Sequence, residues 1–277
     1  MASPPAHSLY RGPVETIAGE ERAPLLLICD HASNALPPAY GTLGLQAAEF
    51  ARHIAWDIGA AAVTRGLAQR LGAPAILTGF SRLLIDPNRG PDDPTLVMKL
   101  SDGAVIPGNA RADEAEIAAR VAAFHAPYHA AIGAALDMTL GRGQVPAILS
   151  LHSFTPRWKT FVRPWQAALL WDRDPRLAQP MIAALRAEGL VIGDNEPYDG
   201  ALENDTLYRH ATARGLPHAL VEIRQDLLGD EAGIETWVER LARVVAPLLE
   251  KPDLRRIEFF GSRAGRGRRF APAEENP

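Results

Sequence analysis

Short apolar runs of strand length alternate with stretches of helical periodicity through most of this chain, from Leu25 to Leu249. Such alternation predicts parallel strands that are joined by helices packed on both faces of one sheet. The predicted fold class is therefore α/β, a three-layer sandwich with a mixed, mostly parallel central sheet. No linker-like shift in composition and no internal repeat divides the 277 residues. We expect a single domain over residues 1–277, with a core at about 25–249, an irregular lead-in at 1–23 that holds one short edge strand, and a basic tail at 251–277.

Composition narrows the class of protein and of partner. The chain is 47% hydrophobic and 22% charged, with a formal net charge of −4, which is ordinary for a globular protein and gives no reason to expect a nucleic-acid partner. No apolar run reaches the roughly 18 residues that a membrane helix needs. One cysteine, Cys29, excludes an intrachain disulfide framework and fits a reducing compartment. With no secretory signal in view, we expect a cytoplasmic protein without a membrane partner.

Polar side chains stand where three predicted strands end, and a fourth stands where a helix begins. His31 follows the apolar run at 25–29, His152 follows the run at 147–151, and Glu222 lies inside the run at 219–223. Asp57 begins the helix predicted at about 57–70. Ligands of open α/β sheets bind outside the carboxyl ends of the strands, so we expect these side chains to converge. Two imidazoles and a carboxylate suit a catalytic zinc ion with one open position, and a further carboxylate suits a general base.

Each of these residues has a structural alternative. Asp57 could be the N-cap of its helix, and either histidine could be a hydrogen-bonded loop residue. A glutamate between Val221 and Ile223 is costly to bury alone, and Arg224, on the same face of the strand, could pair with it or line the same site.

Seven motifs in order resemble the N-formylglutamate amidohydrolase family over about 25–249. They are Cys29-Asp30-His31-Ala32-Ser33-Asn34, Trp56-Asp57-Ile58-Gly59, Ser81-Arg82-Leu83-Leu84-Ile85-Asp86-Pro87-Asn88-Arg89, Tyr128-His129, His152-Ser153-Phe154, Asn195-Glu196-Pro197-Tyr198 and Val221-Glu222-Ile223-Arg224-Gln225-Asp226-Leu227. The third motif, residues 81–89, places its polar residues around what we predict to be a small apolar strand.

The resemblance implies a fold similar to that of zinc carboxypeptidases and peptidoglycan amidases, described as phosphorylase/hydrolase-like. It implies one zinc ion held by His31, an acidic residue and His152, with Glu222 as the base. Carboxypeptidases take the acidic ligand three residues after the first histidine, where this chain has Asn34. The amidases take it at the start of the next helix, which points to Asp57, with Asn34 left beside the site.

The resemblance also implies hydrolysis of N-formyl-L-glutamate to formate and L-glutamate, in histidine catabolism. A substrate with two carboxylates calls for arginine, which binds carboxylates in a bidentate manner. The candidate substrate-binding residues are Arg82, Asn88, Arg89, Asn195, Tyr198 and Arg224. For each arginine a structural ion pair is as good an interpretation, and Asp86 is close in sequence to two of them. His129 is a candidate for supporting the site from behind.

Two other functions remain open at this point. One is a different zinc acyl hydrolase, either a carboxypeptidase-like deacylase or a cell-wall amidase. The other is a non-catalytic protein that binds a small ligand on the same fold. Retention of all four site residues favours an enzyme, and the sequence leaves the oligomeric state open.

Overall fold

The computed structural model describes residues 8–20 and 24–264. Eleven strands are formed in this part of the chain: β1 (Val14–Ile17), β2 (Leu25–Cys29), β3 (Ala75–Thr78), β4 (Leu100–Ser101), β5 (Ala104–Val105), β6 (Ala147–Phe154), β7 (Arg157–Trp158), β8 (Phe161–Val162), β9 (Ala167–Leu170), β10 (Ile192–Asp194) and β11 (His218–Arg224). The same residues form the helices α1 (Ala60–Leu71), α2 (Pro107–Ala110), α3 (Glu114–Arg120), α4 (Ala126–Gly141), α5 (Ala178–Ala187), α6 (Thr206–His210) and α7 (Glu231–Leu249). A π-helical turn, Val121–His125, joins α3 to α4.

Seven of these strands form one mixed sheet in the order β1-β3-β2-β6-β11-β9-β10. Four neighbouring pairs are parallel, and two pairs, β1 with β3 and β9 with β11, are antiparallel. The predicted fold class, an α/β protein with a mixed, mostly parallel central sheet, is confirmed. The edge strand expected in the lead-in is β1. The short pairs β4–β5 and β7–β8 form separate hairpins.

The central strand β2 shows why the sheet is covered on both faces. Leu25, Leu27 and Cys29 belong to one apolar cluster, which contains the buried sides of α1, α5 and α7. Leu26 and Ile28 point the other way, into a second cluster with α4 and α6. Successive side chains of a strand alternate between faces, so an unbroken apolar run is the pattern of a strand that is buried on both sides. These clusters form the two interfaces of a three-layer sandwich.

One predicted strand is wrong. Residues 81–89 contain no strand and pass through turns. The apolar residues Leu83, Leu84 and Ile85 are nevertheless fully buried, in a third cluster that lies outside the two sheet faces. A short apolar run indicates burial and does not by itself distinguish a strand from a compact loop.

Both ends of the chain are described in part. The basic tail is described as far as residue 264, and there Arg263 donates hydrogen bonds to Asp172 and Asp199, which ties this stretch to the body of the protein. Residues 1–7, 21–23 and 265–277 lie outside the described part, and with them Arg266, Arg268 and Arg269. Among the described residues, every helix is too short or too polar to cross a lipid bilayer.

Candidate active site

The carboxyl ends of β2, β6 and β11 bring three candidate residues to one edge of the sheet. His31 lies two residues beyond the end of β2, while His152 and Glu222 lie within β6 and β11. These two strands are parallel neighbours, and Glu222 is the register partner of His152. Register partners on neighbouring strands project to the same face. The sheet therefore holds the candidate base directly beside a candidate metal ligand.

His31, Asp57 and His152 form a compact buried set whose ligand atoms all lie within 4.8 Å of one another. Asp57 Oδ2 is 3.3 Å from Nδ1 of His31 and 2.7 Å from Nδ1 of His152. The main-chain N–H of Asp57 donates to the carbonyl of His31, at 3.0 Å, which fixes the turn before α1. The N-cap of α1 is Gly59, without a side-chain cap. The Asp57 carboxylate therefore faces the two histidines and does not cap the helix.

This donor set fits one metal ion. Two imidazole nitrogens and one carboxylate oxygen, buried together, are the ligands of many catalytic zinc sites, which keep a fourth position open. Both histidines direct Nδ1 toward Asp57 Oδ2, so the two rings present the same type of nitrogen to the space between them. The ring centroids are 5.0 Å apart, close enough for both imidazoles to reach a single ion.

Two further aspartates hold the outer nitrogens of the histidines. Nε2 of His31 is 2.8 Å from Asp86 Oδ1, and Nε2 of His152 is 3.0 Å from Asp30 Oδ2. A carboxylate at the outer nitrogen fixes the tautomer and the orientation of a metal-ligating imidazole. Asp30 also accepts hydrogen bonds from three hydroxyls, those of Tyr128, Ser150 and Thr206.

Sequence reasoning missed these supporting roles. Asp30 directly precedes His31, but its position in the sequence indicates no role, and Asp86 is predicted only as an ion-pair partner of an arginine. Both aspartates lie in the motifs around the candidate ligands. A carboxylate near a histidine at the end of a strand is therefore the sequence feature that could identify such a supporting residue. The direction in which such a carboxylate points depends on the loop conformation, which the spacing of residues in the sequence does not reveal.

Burial and neighbouring charges divide the carboxylates of the site into two kinds. Burial alone would raise the pKa of Asp57, but His31 and His152 hold this pKa far below its usual range. Burial raises the pKa of Glu222 to about 7, and the charge of Asp57 adds to the rise while His152 opposes it. Glu222 Oε2 is buried and has no hydrogen-bond partner among the described residues. An unpaired buried carboxylate with a shifted pKa is typical of a functional group.

A cavity of about 1130 Å³ opens at this edge of the sheet and is lined by the His–Asp–His set and by Glu222. Arg82 also lines it. The Arg82 guanidinium donates from Nη2 to Asp86 Oδ2 at 2.7 Å, and its Nη1 lies 3.8 Å from Asp57 Oδ1. Its Nε is buried and has no hydrogen-bond partner in the described part of the chain. Arg82 thus lies beside the candidate metal ligands, and its Nε–H is not used in a hydrogen bond with the described residues.

Three other predicted substrate-binding residues also line the cavity, namely Asn88, Arg89 and Tyr198. The Asn88 side chain accepts a hydrogen bond from the main-chain N–H of Thr206, at 3.1 Å. Arg89 donates to the Asn88 carbonyl and to the Thr95 hydroxyl. The Asn88 bond connects the segment after residue 86 to α6, and the Arg89 bonds stay within that segment.

Asn195 and Arg224 lie outside the lining of the cavity. The Asn195 side-chain oxygen accepts hydrogen bonds from two main-chain N–H groups of the surrounding loops, each at 3.0 Å. The Arg224 guanidinium pairs with Asp226 at 2.8 Å and faces two main-chain carbonyls. The structure gives both residues contacts that hold loops together, and their substrate-binding roles stay predictions.

Asn34 and His129 are placed behind or beside the site. The Asn34 side chain donates to the carbonyl of Phe50 at 2.8 Å and accepts from the main-chain N–H of Ser8. It is not among the three residues whose ligand atoms converge. His129 is buried, with Nε2 donating to the carbonyl of Pro87 at 3.0 Å and Nδ1 accepting from His210 at 2.9 Å. It supports the segment that carries Asn88.

Comparisons with known proteins relate the chain to one family. The model of the N-formylglutamate amidohydrolase family matches residues 23–229. A gene product of Agrobacterium tumefaciens with a known crystal structure is 34% identical to the chain, with a TM-score of 0.82 over 87% of this chain and 96% of that one. An N-formylglutamate amidohydrolase from Ralstonia eutropha is 24% identical, with a TM-score of 0.64 over 87% and 98%. No curated protein matches the chain significantly. The range matched by the family includes every candidate site residue described above.

Proposed function

Because the chain belongs to the N-formylglutamate amidohydrolase family, we propose that this amidohydrolase cleaves the amide bond of an N-acyl amino acid, with N-formyl-L-glutamate as substrate and formate and L-glutamate as products. The observation that carries the proposal is the unpaired oxygen of Glu222, buried beside a His–Asp–His set that fits a metal ion. A base and a metal site in contact with one cavity are the two components that water-driven amide hydrolysis needs.

His31, Asp57 and His152 would hold one zinc ion. When bound, zinc supplies Lewis acidity toward the scissile carbonyl and makes an attacking water more acidic. Asp86 and Asp30 keep the two imidazoles in the orientation that leaves Nδ1 free for the ion. This arrangement explains the presence of two further buried carboxylates beside the histidines.

Glu222 is the proposed proton carrier. Its carboxylate takes a proton from the attacking water and returns it to the leaving amine, so that the amino acid departs as a neutral amine. Burial brings the pKa of Glu222 to about 7, and a general base and acid works best when its pKa lies near the working pH. The free Oε2 leaves one oxygen available for the water.

Arg82 is the proposed donor to the acyl oxygen or to a substrate carboxylate. It lines the cavity beside the ligand set and keeps an unused Nε–H. Asn88, Arg89 and Tyr198 are further candidates along the wall. Arginine suits this task because its guanidinium stays charged, and a hydrogen bond from a charged donor is stronger than one from a neutral donor.

A larger N-acyl substrate is a second candidate, and the cavity volume favours it. A volume of about 1130 Å³ lies just above the range of ~300–1,000 Å³ that is usual for pockets binding drug-sized ligands, whereas N-formylglutamate is a small amino acid derivative.

For the cellular setting we propose the cytoplasm and histidine catabolism; the buried free thiol of Cys29 is compatible with a reducing compartment.

The first prediction joins metal content to product. We expect purified protein to contain about one zinc ion per chain and to release formate from N-formyl-L-glutamate. Glu222→Gln should keep the zinc and lose ~10²–10⁴-fold in kcat, as expected for loss of a general base. Glu239→Gln, on an exposed glutamate of α7, is the matched control and should retain full activity.

The outcomes separate the parts of this proposal. Absence of zinc together with full activity of Glu222→Gln would overturn the mechanism. Zinc without formate release would leave an amidohydrolase with a different substrate, to be sought among longer N-acyl amino acids by detection of the released amine.

A further inference from the structure

Arg163 is a buried cation next to the cavity wall that sequence reasoning overlooked. It directly follows β8, and only 4% of its surface is exposed. Its Nη1 donates to the main-chain carbonyl and to the hydroxyl of Thr155, both at 3.1 Å. Among the described residues, no carboxylate lies within ion-pair distance of it. Buried charges are normally paired with an opposite charge. The Arg163 guanidinium instead donates to neutral oxygens, so its positive charge is not compensated by a carboxylate of the protein.

Three aromatic rings surround the Arg163 guanidinium. Its carbon lies 5.1 Å from the ring centroid of Tyr198, 5.5 Å from that of Phe154 and 6.0 Å from that of Trp158. Cation–π attraction lowers the cost of burying the charge without neutralising it. All three rings line the cavity. The positive charge therefore stands directly behind an aromatic part of the cavity wall.

The hydrogen bond between Arg163 and Tyr198 orients the phenol. Arg163 Nη2 donates to the Tyr198 hydroxyl oxygen at 2.9 Å. Because guanidinium nitrogens only donate, the hydroxyl must accept here, and its own hydrogen is left for another acceptor. In the described part of the chain no residue accepts that hydrogen. Tyr198 is 45% exposed and lines the same cavity as Glu222.

From this geometry we propose that Arg163 is a positioning residue, which holds the Tyr198 hydroxyl as a hydrogen-bond donor to a carboxylate of the N-acyl amino acid substrate. The inference rests on the proposed function. It narrows the substrate class to N-acyl amino acids with a free carboxylate at the aromatic wall. The positive charge behind the phenol strengthens the bond to an anion, since hydrogen bonds to charged groups are the stronger ones.

A double-mutant cycle tests this inference with the zinc-loaded enzyme and N-formyl-L-glutamate. Tyr198→Phe should raise KM about tenfold, the effect of losing one hydrogen bond to a charged group, with little change in kcat. Arg163→Met should raise KM by a similar factor, and Arg163→Lys, which keeps the charge, should recover part of the loss. Arg157→Met, on an exposed arginine of β7, is the matched control with unchanged constants.

The cycle distinguishes positioning from a merely structural role. If Arg163 acts through the phenol, Arg163→Met should add almost nothing to KM once Tyr198→Phe is present. Multiplying effects in the double variant would overturn the proposal. The same KM rise in Arg163→Met for both the α-carboxamide and the γ-carboxamide of the substrate would also overturn it, because one of these analogues lacks the carboxylate concerned.

A second measurement remains decisive if N-formyl amino acids are not substrates, a result that would refute the proposed function. Fluorotyrosine is introduced at the five tyrosines, and the Tyr198 resonance is assigned by its absence in Tyr198→Phe. Burial raises the pKa of Tyr198, and the charges of Glu222 and Asp57 add to the rise, whereas Arg163 lowers this pKa through its charge and its hydrogen bond. Arg163→Met should therefore shift the titration to higher pH. An equal pKa in both proteins would overturn the positioning role.

Discussion

At the scale of single residues, Asp86 links the candidate metal ligand to the candidate substrate-binding arginine. Oδ1 faces Nε2 of His31 at 2.8 Å and accepts from the main-chain N–H of Asn88 at 2.9 Å. Oδ2 accepts from Nη2 of Arg82 at 2.7 Å. Burial would raise the pKa of Asp86, but Arg82 and His31 hold this pKa well below its usual range. One ionised carboxylate therefore orients both groups.

Replacing this carboxylate by an amide tests its role at the metal. Asp86→Asn should weaken zinc binding about 10–100-fold, the usual effect of losing a partner behind a ligating histidine. Competition with a chromophoric chelator measures the affinity, and circular dichroism confirms that the protein is folded. Asp113→Asn is the matched control, since asparagine caps a helix as well as aspartate does. Equal zinc affinity in Asp86→Asn and the wild type would contradict this role.

At the scale of elements, the start of α1 explains why Asp57 is free to face the histidines. Gly59, the N-cap, adopts φ +83°, in the left-handed region. A Cβ at this position would lie 2.5 Å from Cβ of Leu228. The helix therefore begins on a glycine that packs tightly against the segment after β11, and the aspartate two residues earlier is not needed as a cap.

Adding a single methyl group tests this helix start. Gly59→Ala should lower the free energy of unfolding by roughly 2–4 kcal/mol, the combined cost of left-handed backbone and overpacking. Urea unfolding measures the change. Gly133→Ala in α4, where a Cβ meets nothing within 4 Å, is the control and should stabilise by up to ~1 kcal/mol. A Gly59→Ala value within ~0.5 kcal/mol of the wild type would contradict the argument.

The sequence was most informative where burial forces the pattern. The strands β2 and β11 follow from apolar runs, and their polar ends correctly indicated which residues face one edge. It was misleading at residues 81–89, where Leu83 and its neighbours are buried in turns. The N-cap alternative for Asp57 failed for a related reason: the helix begins at Gly59, whose left-handed conformation and close approach to Leu228, far away in sequence, no local pattern reveals.

At the scale of the whole molecule, a buried histidine cluster joins α4, α6 and the segment that lines the cavity. His125 donates to the carbonyl of Arg89 at 2.9 Å, and His129 donates to the carbonyl of Pro87 at 3.0 Å. His210 donates to Nδ1 of His129. No periodicity in the sequence predicts this cluster, because the contact between His129 and His210 joins residues 81 positions apart.

This cluster makes stability depend on pH. Burial lowers the pKa of His129 to about 2 and that of His210 to about 4, whereas unfolded histidine titrates near ~6.5. Below pH ~6.5 these histidines become protonated in the unfolded chain but stay neutral in the folded protein. Their contribution to the free energy of unfolding therefore falls as pH falls. Glu222 and Asp205, whose pKa values burial raises to about 7, act in the opposite direction over the same range.

A variant isolates the histidine contribution from these opposing groups. Relative to His210→Gln, the wild type should lose about 2 kcal/mol of unfolding free energy between pH 7.5 and pH 5, at ~1.4 kcal/mol per pH unit below 6.5. Urea unfolding of both proteins at several pH values measures this difference. A difference that stays constant over the range would show that His210 is not kept neutral by the fold.

The register between β6 and β11 also bears on how this chain can change in length. Glu222 pairs with His152, and β11 is held on its other side by β9. Inserting or deleting one residue between Pro217 and Glu222 would turn the carboxylate to the opposite face and present an apolar neighbour in its place. Homologues that conserve the chemistry must therefore keep this spacing fixed, whereas this register places no such constraint on exposed connections such as the β4–β5 hairpin.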